Sequence, residues 1–187
     1  MPSGLVDKTI QDRITKHIYS CFLAMDNFQT NSLFFLLDST RMEYVFVSNS
    51  TQTVLGFSRD EIIEKGFQWL FTLLSPAELA YKKTVVDDFF GFLKTLGREK
   101  MMNSTVRYDI VCLRKNGTKV HLLEEVMFPE VSEQGEAILI SCFLHDIDDY
   151  VDTEKRQCHI YLIQSDGLEM IFSKNYSVDE KKKIPLR

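Results

Sequence analysis

The chain has 187 residues, 44% hydrophobic and 12% aromatic, with a formal net charge of −5. This is one domain of ordinary size with extensions, large enough to bury roughly two thirds of its unfolded surface without a metal or disulfide staple. An acidic chain gains nothing from counterion release, which argues against nucleic-acid binding by this piece. No apolar run reaches the ~18 residues of a membrane span and no signal peptide opens the chain, so a cytoplasmic protein with no membrane contact is expected.

Taken in order, residues 9–25 predict an amphipathic helix. Ile10, Ile14, Ile18, Cys21 and Met25 recur at spacings of four, four, three and four, which puts them on one stripe. That stripe packs on its own domain, pairs with the same helix of a second subunit, or does both. A polar linker, DNFQTNS, follows. Residues 33–38 (LFFLLD) form a strand apolar at both parities, which must be covered on both faces. A second strand, 44–47 (YVFV), runs into Asn49 as a helix N-cap, with Gln52 three residues on and Gly56 as the stop. A second short helix then starts with a capping box, Ser58 and Glu61. Phe57 and Ile62 form its hydrophobic staple and Gly66 closes it.

Residues 67–74 (FQWLFTLL) read as a short helical or irregular connection with its apolar side inward. A long helix begins after Ser75, with Pro76 in its first turn, Glu78 completing a capping box and Leu74 stapled to Leu79. It is expected to run to about Leu96, burying Leu79, Val86, Phe89, Phe90, Leu93 and Leu96, and to stop at Gly97. Residues 105–129 predict a hairpin about Asn116-Gly117. A two-residue type I′ turn there pairs Tyr108, Ile110 and Cys112 on one face with Glu125, Leu123 and His121. A last strand spans 137–144. Five antiparallel strands, with the helices between the second and third, make an α+β layout. Beyond it, CHIYLIQSDGLEMIFS (158–173) predicts a second hairpin about Asp166-Gly167, which must lean on the core or on another subunit because an isolated hairpin is marginal. The charged tail, ending Pro-Leu-Arg, reads as a linker cut just before another domain.

Little points to catalysis. The four cysteines, Cys21, Cys112, Cys142 and Cys158, form no CxxC pair, so a zinc ribbon is excluded on spacing and buried free thiols are expected. Ser141, His145 and Asp146 are close in sequence, but strand alternation gives them no triad geometry. Glu124 and Glu125 are neighbours in a strand and so face opposite ways. There is no Walker loop, GxGxxG or HExxH. Neither catalytic residues nor a metal site are expected.

The strand with two short capped helices, the long helix from Ser75, the hairpin RYDIVCLRKNGTKVHLLE and the last strand ending HDIDD together resemble a PAS domain over residues 31–149. The resemblance implies a PAS fold, a five-stranded antiparallel sheet with helices on one face. Here it is extended by the N-terminal helix with its linker (1–30) and by a C-terminal hairpin and linker (150–187). The HDIDD ending resembles the D-I-T type element with which many bacterial PAS domains hand over to the next domain, with Asp148 where Thr is frequent. The whole arrangement resembles the N-terminal part of bacterial PAS-containing LuxR-type regulators, in which a helix-turn-helix domain would follow and carry any DNA binding.

The function so implied is a sensory and dimerisation module of a transcription regulator. It would bind a small apolar ligand or a protein partner, act as a homodimer through Ile10, Ile14, Ile18, Cys21 and Met25, and relay its signal to a C-terminal output domain. The alternatives are a ligand-free protein-interaction PAS domain and, behind it, a small hydrolase. Candidate pocket walls are Phe71, Phe89, Phe90, Leu93 and Ile110, with Leu139 and Phe143, and with Tyr108 and Ser141 as polar anchors. Haem is disfavoured because the long helix has no histidine, and a LOV-type flavin because residues 49–66 have no cysteine.

Overall fold

The computed structural model describes residues 31–148 and 156–178. Among them, seven strands build one antiparallel sheet: β1 (Ser32–Asp38), β2 (Glu43–Val47), β3 (Ser104–Leu113), β4 (Lys119–Val131), β5 (Ala137–Asp146), β6 (Arg156–Gln164) and β7 (Gly167–Tyr176), in the order β2-β1-β5-β4-β3-β6-β7. The first five strands are the expected core. The C-terminal hairpin joins the same sheet, with β6 pairing to β3 from Ser104↔Leu162 to Tyr108↔Cys158. The amphipathic helix expected over 9–25, with Ile10, Ile14, Ile18, Cys21 and Met25, lies outside the described residues.

The helices fall between β2 and β3 and cover one face. They are α1 (Thr51–Val54), α2 (Arg59–Lys65), a 3-10 helix (Phe67–Leu73), α3 (Pro76–Leu93) and α4 (Arg98–Met102). The N-cap of α1 is Ser50, not Asn49, and it makes no side-chain cap bond. Its hydroxyl meets Ser48 Oγ at 2.7 Å, and Ser48 Oγ accepts from the Phe34 N–H at 3.0 Å, so these hydroxyls tie the exit of β2 to β1. In α2 the capping box is complete: Ser58 N–H donates to Glu61 Oε2 at 2.9 Å and Glu61 N–H to Ser58 Oγ at 3.2 Å. Both staple residues, Phe57 and Ile62, are buried.

The long helix α3 departs from expectation in three ways. Ser75 Oγ caps the Glu78 N–H, but the Glu78 carboxylate does not return to Ser75, because Arg156 and the Val111 N–H take it. The helix ends at Leu93 rather than near Leu96, and Gly97, at φ +79°, opens the unforeseen α4. Its fully buried stripe is Tyr81, Val85, Phe89 and Leu93, one residue per turn. Val86 and Phe90 lie beside that stripe and are partly buried, while Leu79 is 41% exposed.

The β3–β4 register also differs from the expected one. Arg114 and Thr118 close the loop, with Arg114 N–H donating to Thr118 O at 2.8 Å, and Gly117 takes φ +84°. This is a three-residue loop with glycine in the left-handed position rather than a two-residue type I′ turn. The one-residue change moves every partner to the other face. Tyr108 pairs with Glu124, Ile110 with Leu122 and Cys112 with Val120.

Both faces of β1 are buried. Leu33, Phe35 and Leu37 join the main core beneath the helices, whereas Phe34 and Leu36 join Phe46 and Leu139 on the opposite face, where Phe34 stacks between Phe46 and Phe143 at 5.5 Å from each.

Candidate functional site: an apolar cavity with one polar corner

The helices do not fill the space they enclose. Between them and the sheet lies a cavity of about 630 Å³, within the ~300–1,000 Å³ range of small-molecule sites. The sheet contributes Leu33, Phe35, Tyr44, Tyr108, Ile110, Leu122, Val126, Ile140, Cys142 and Leu144. The helical layer contributes Leu55, Ile62, Phe67, Leu70, Phe71, Val86, Phe89 and Phe90. Met42, Leu79 and Lys83 also border the cavity and are exposed, which marks its mouth.

Five of the sequence-selected wall residues, Phe71, Phe89, Phe90, Tyr108 and Ile110, meet here. Leu93 is buried in the same core but is not a wall. Leu139, Ser141 and Phe143 are displaced: the β1–β5 register pairs them with Asp38, Leu36 and Phe34, on the far face, and Ile140, Cys142 and Leu144 line the cavity instead. A strand apolar at both parities carries no sequence signal for which parity faces inward. Ser141 is therefore no anchor for the cavity.

The polar corner is built by two residues that sequence reading passed over. Glu124, 4% exposed, projects from β4, and Lys82 of α3 pairs with its Oε2. Lys82 Nζ also donates to Tyr108 Oη at 3.2 Å and sits 5.3 Å from that ring's centroid. Burial pushes the Tyr108 phenol well above its ordinary range, and the Glu124 carboxylate pushes the same way, so it keeps its proton. Two signals were available. Lys82 falls on the stripe of Leu79, Val86, Phe89 and Phe90, and Glu124 shares the inward parity of β4 once the hairpin register is right.

One turn earlier on α3, a second buried cluster ties in the C-terminal hairpin. Arg156, the first residue of β6, binds Glu78 Oε1 and Asp109 Oδ2, each at 2.8 Å, and lies 5.4 Å over the Tyr81 ring. Glu78 Oε2 accepts from the Val111 N–H at 3.1 Å. Burial holds the Asp109 carboxyl above its ordinary range, and Arg156 offsets only part of that rise. Further along, Asp88 takes Lys174 at 2.6 Å and Tyr176 at 2.8 Å from β7.

The end of the core sheet is held by Arg114. It donates to Asp146 at 2.7 Å and Asp148 at 3.0 Å, and also to the carbonyls of Val54 and Lys119. Asp148 further accepts from the His121 N–H at 2.9 Å, so the aspartate at the position where Thr is frequent closes the same junction through its carboxylate.

No triad forms from Ser141, His145 and Asp146. His145 Nδ1 meets Ser32 Oγ at 2.7 Å, and Asp146 is taken by Arg114. Cys112, Cys142 and Cys158 are free and buried. Burial pushes the Cys112 and Cys158 thiols up to about 12 and Cys142 well above its usual range, so none is a ready nucleophile. Among the described residues no group of His, Cys, Asp and Glu side chains is arranged to hold a metal ion, and no helix is long and apolar enough to cross a membrane.

An antiparallel sheet with helices folded over one face around an apolar cavity is an architecture suited to holding a small molecule. The family model of the PAS domain matches residues 31–149, nearly two thirds of the chain, and the chain belongs to that family. It is a PAS sensory domain, with the general role in signalling that this implies. Its likeness to solved structures is one of fold. A LOV protein of Rhodobacter sphaeroides matches at TM-score 0.50 and 10% identity, covering 79% of this chain and 72% of that one. A Colwellia psychrerythraea PAS domain matches at TM-score 0.49 and 14% identity over 71% and 98%. The PAS domain of the fruit-fly ELK potassium channel matches at 0.48 and 20% over 69% and 97%. No curated protein matches.

Proposed function

We propose that this PAS domain is the ligand-sensing and dimerisation module of a cytoplasmic bacterial transcription regulator of the LuxR type, and that its cavity takes a small, mainly apolar molecule. The supporting observation is the cavity itself: about 630 Å³ of space with mainly aromatic and aliphatic walls and a buried ion pair at one corner. A pure interaction module has no need of such a space, because filling it would stabilise the fold.

Helix α3 is the element that reaches both ends of the proposed signal path. It presents Lys82 to the cavity, Glu78 to the start of β6 and Asp88 to β7. A ligand that moves α3 moves the hairpin, by no more than its differential affinity for the two arrangements. DNA binding belongs to an output domain outside this sequence. Homodimerisation is assigned to the stripe of Ile10, Ile14, Ile18, Cys21 and Met25. Neither haem nor a cysteinyl-flavin adduct is proposed, since among the described residues no histidine lines the cavity and no cysteine lies in the short helices.

Native mass spectrometry with an absorbance spectrum on freshly purified protein tests the reading. We expect a dimer carrying a small-molecule adduct, lost in Ile140→Trp, which fills the cavity from its floor. A bare mass, together with no uptake of the neutral dye Nile red, overturns the ligand reading. Ile14→Asp with Ile18→Asp should reduce the mass measured by light scattering to that of a monomer, and an unchanged mass removes the stripe from the interface.

A further inference from the structure

The polar corner also constrains which chemistry the cavity accepts, an inference that rests on the ligand-sensing reading above. Lys82 and Glu124 form an ion pair of zero net charge inside walls that are otherwise almost entirely apolar. An ammonium has three N–H donors. Glu124 and Tyr108 engage two of Lys82's, and a carboxylate retains several lone pairs after accepting one lysine. The corner therefore offers one donor and one acceptor side by side. A ligand head that arrives charged would add a third charge with no buried counterion, which a low-dielectric site penalises heavily. A head that is neutral, and that both donates and accepts, satisfies both groups and adds no charge.

A second orphan sits across the sheet. Of the buried side-chain polar atoms left without a partner among the described residues, Tyr44 Oη belongs to a cavity wall, whereas Tyr81 Oη and His159 Nδ1 do not. Tyr44 is on β2 and Glu124 on β4, three strand spacings apart, or about 14 Å between backbones. Burial raises the Tyr44 phenol, so it stays a donor.

We infer that the ligand is an uncharged, elongated, mainly apolar molecule with a neutral donor–acceptor head, of the amide type, against Lys82 and Glu124, and with a hydrogen-bond acceptor at its far end for the Tyr44 hydroxyl.

Displacement of Nile red from the full chain at neutral pH, by dodecanamide, dodecanoate and dodecylammonium below their micelle concentrations, tests this. The three probes share a twelve-carbon chain, close to the span between the two ends, and differ in the charge and the hydrogen-bonding capacity of the head. The amide should displace the dye at a concentration about tenfold or more below either ion, the ratio expected for one unpaired buried polar group. In Lys82→Met/Glu124→Leu, which replaces the pair by apolar groups, the dye should still bind and the amide should lose its advantage. Equal or tighter binding of the carboxylate or the ammonium overturns the neutral-head assignment and leaves the cavity a ligand site. An amide preference that survives in the double variant overturns the placement of the head. No dye uptake and no binding of any probe overturns the ligand reading itself, and this inference with it.

Discussion

Two buried ionic clusters hang from α3 one turn apart, and they do different work. At Glu78, Arg156 and Asp109 the guanidinium meets two carboxylates, a backbone carbonyl and an aromatic face, and Glu78 uses both of its oxygens. At Lys82, Glu124 and Tyr108 the ammonium retains an unused donor beside an apolar space. The residue types are nearly the same. The difference lies in what stands opposite: a strand entering the sheet packs against the first cluster, and a cavity opens beside the second. A closed cluster fixes the position of a strand, and an open one has hydrogen-bonding capacity left for a molecule that the fold does not contain.

That contrast is broken most forcefully at Arg156. Arg156→Met leaves Glu78 and Asp109 buried without a counterion and should cost about 3–5 kcal/mol in denaturant-induced unfolding, with Nile red affinity per folded molecule unchanged. A loss under about 1 kcal/mol would show that the cluster does not anchor β6. Lys82→Met alone strands Glu124 and should cost about 3 kcal/mol or more, whereas Lys82→Met/Glu124→Leu should return to within about 1–2 kcal/mol of the parent, since apolar replacement of a buried pair is often neutral. If single and double variants unfold alike, the pair is not energetically coupled.

Tyr108→Phe sharpens the comparison. It removes the hydroxyl that Lys82 donates to and nothing else of size, and should cost about 1 kcal/mol. An exposed ion pair sets the lower bound. Burial pushes the Asp148 carboxyl up, and the His121 N–H and Arg114 more than reverse this, holding it below its ordinary 3.8. Its contribution is therefore present above that pH and fades as pH falls through the lowered value. Asp148→Asn should lose a few tenths of a kcal/mol near pH 7 and nothing at pH 2, because solvent screens a side chain that is 41% exposed. A loss that persists at low pH would place the effect in packing rather than charge.

Much of the architecture was legible from local rules. The capping box of Ser58 and Glu61, the staple of Phe57 and Ile62, proline in the first turn of α3 and the both-parity apolar run of β1 are decided within a few residues of chain. The candidate site was legible on its helical side, where Phe71, Phe89 and Phe90 stand, because α3 carries a period that points inward. It was misread on its strand side. Leu139, Ser141 and Phe143 belong to a strand whose two faces are both apolar, and Glu124 was turned away by one residue of hairpin register.

The sequence by itself determined the order of the strands and main helices, the capping box and glycine stop of α2, the Ser75 cap of α3, the family, and the need to cover both faces of β1, since each follows from backbone propensity or from hydrophobic period. Tertiary structure alone decided the rest. It set the loop length between β3 and β4, and with it which of two adjacent glutamates faces the cavity. It drew Glu78 out of its own capping box to meet Arg156, whose position in sequence is remote. It also left space between α3 and the sheet. These outcomes depend on three-dimensional packing, in which a one-residue register change or a distant charge outweighs the local preference of any single side chain.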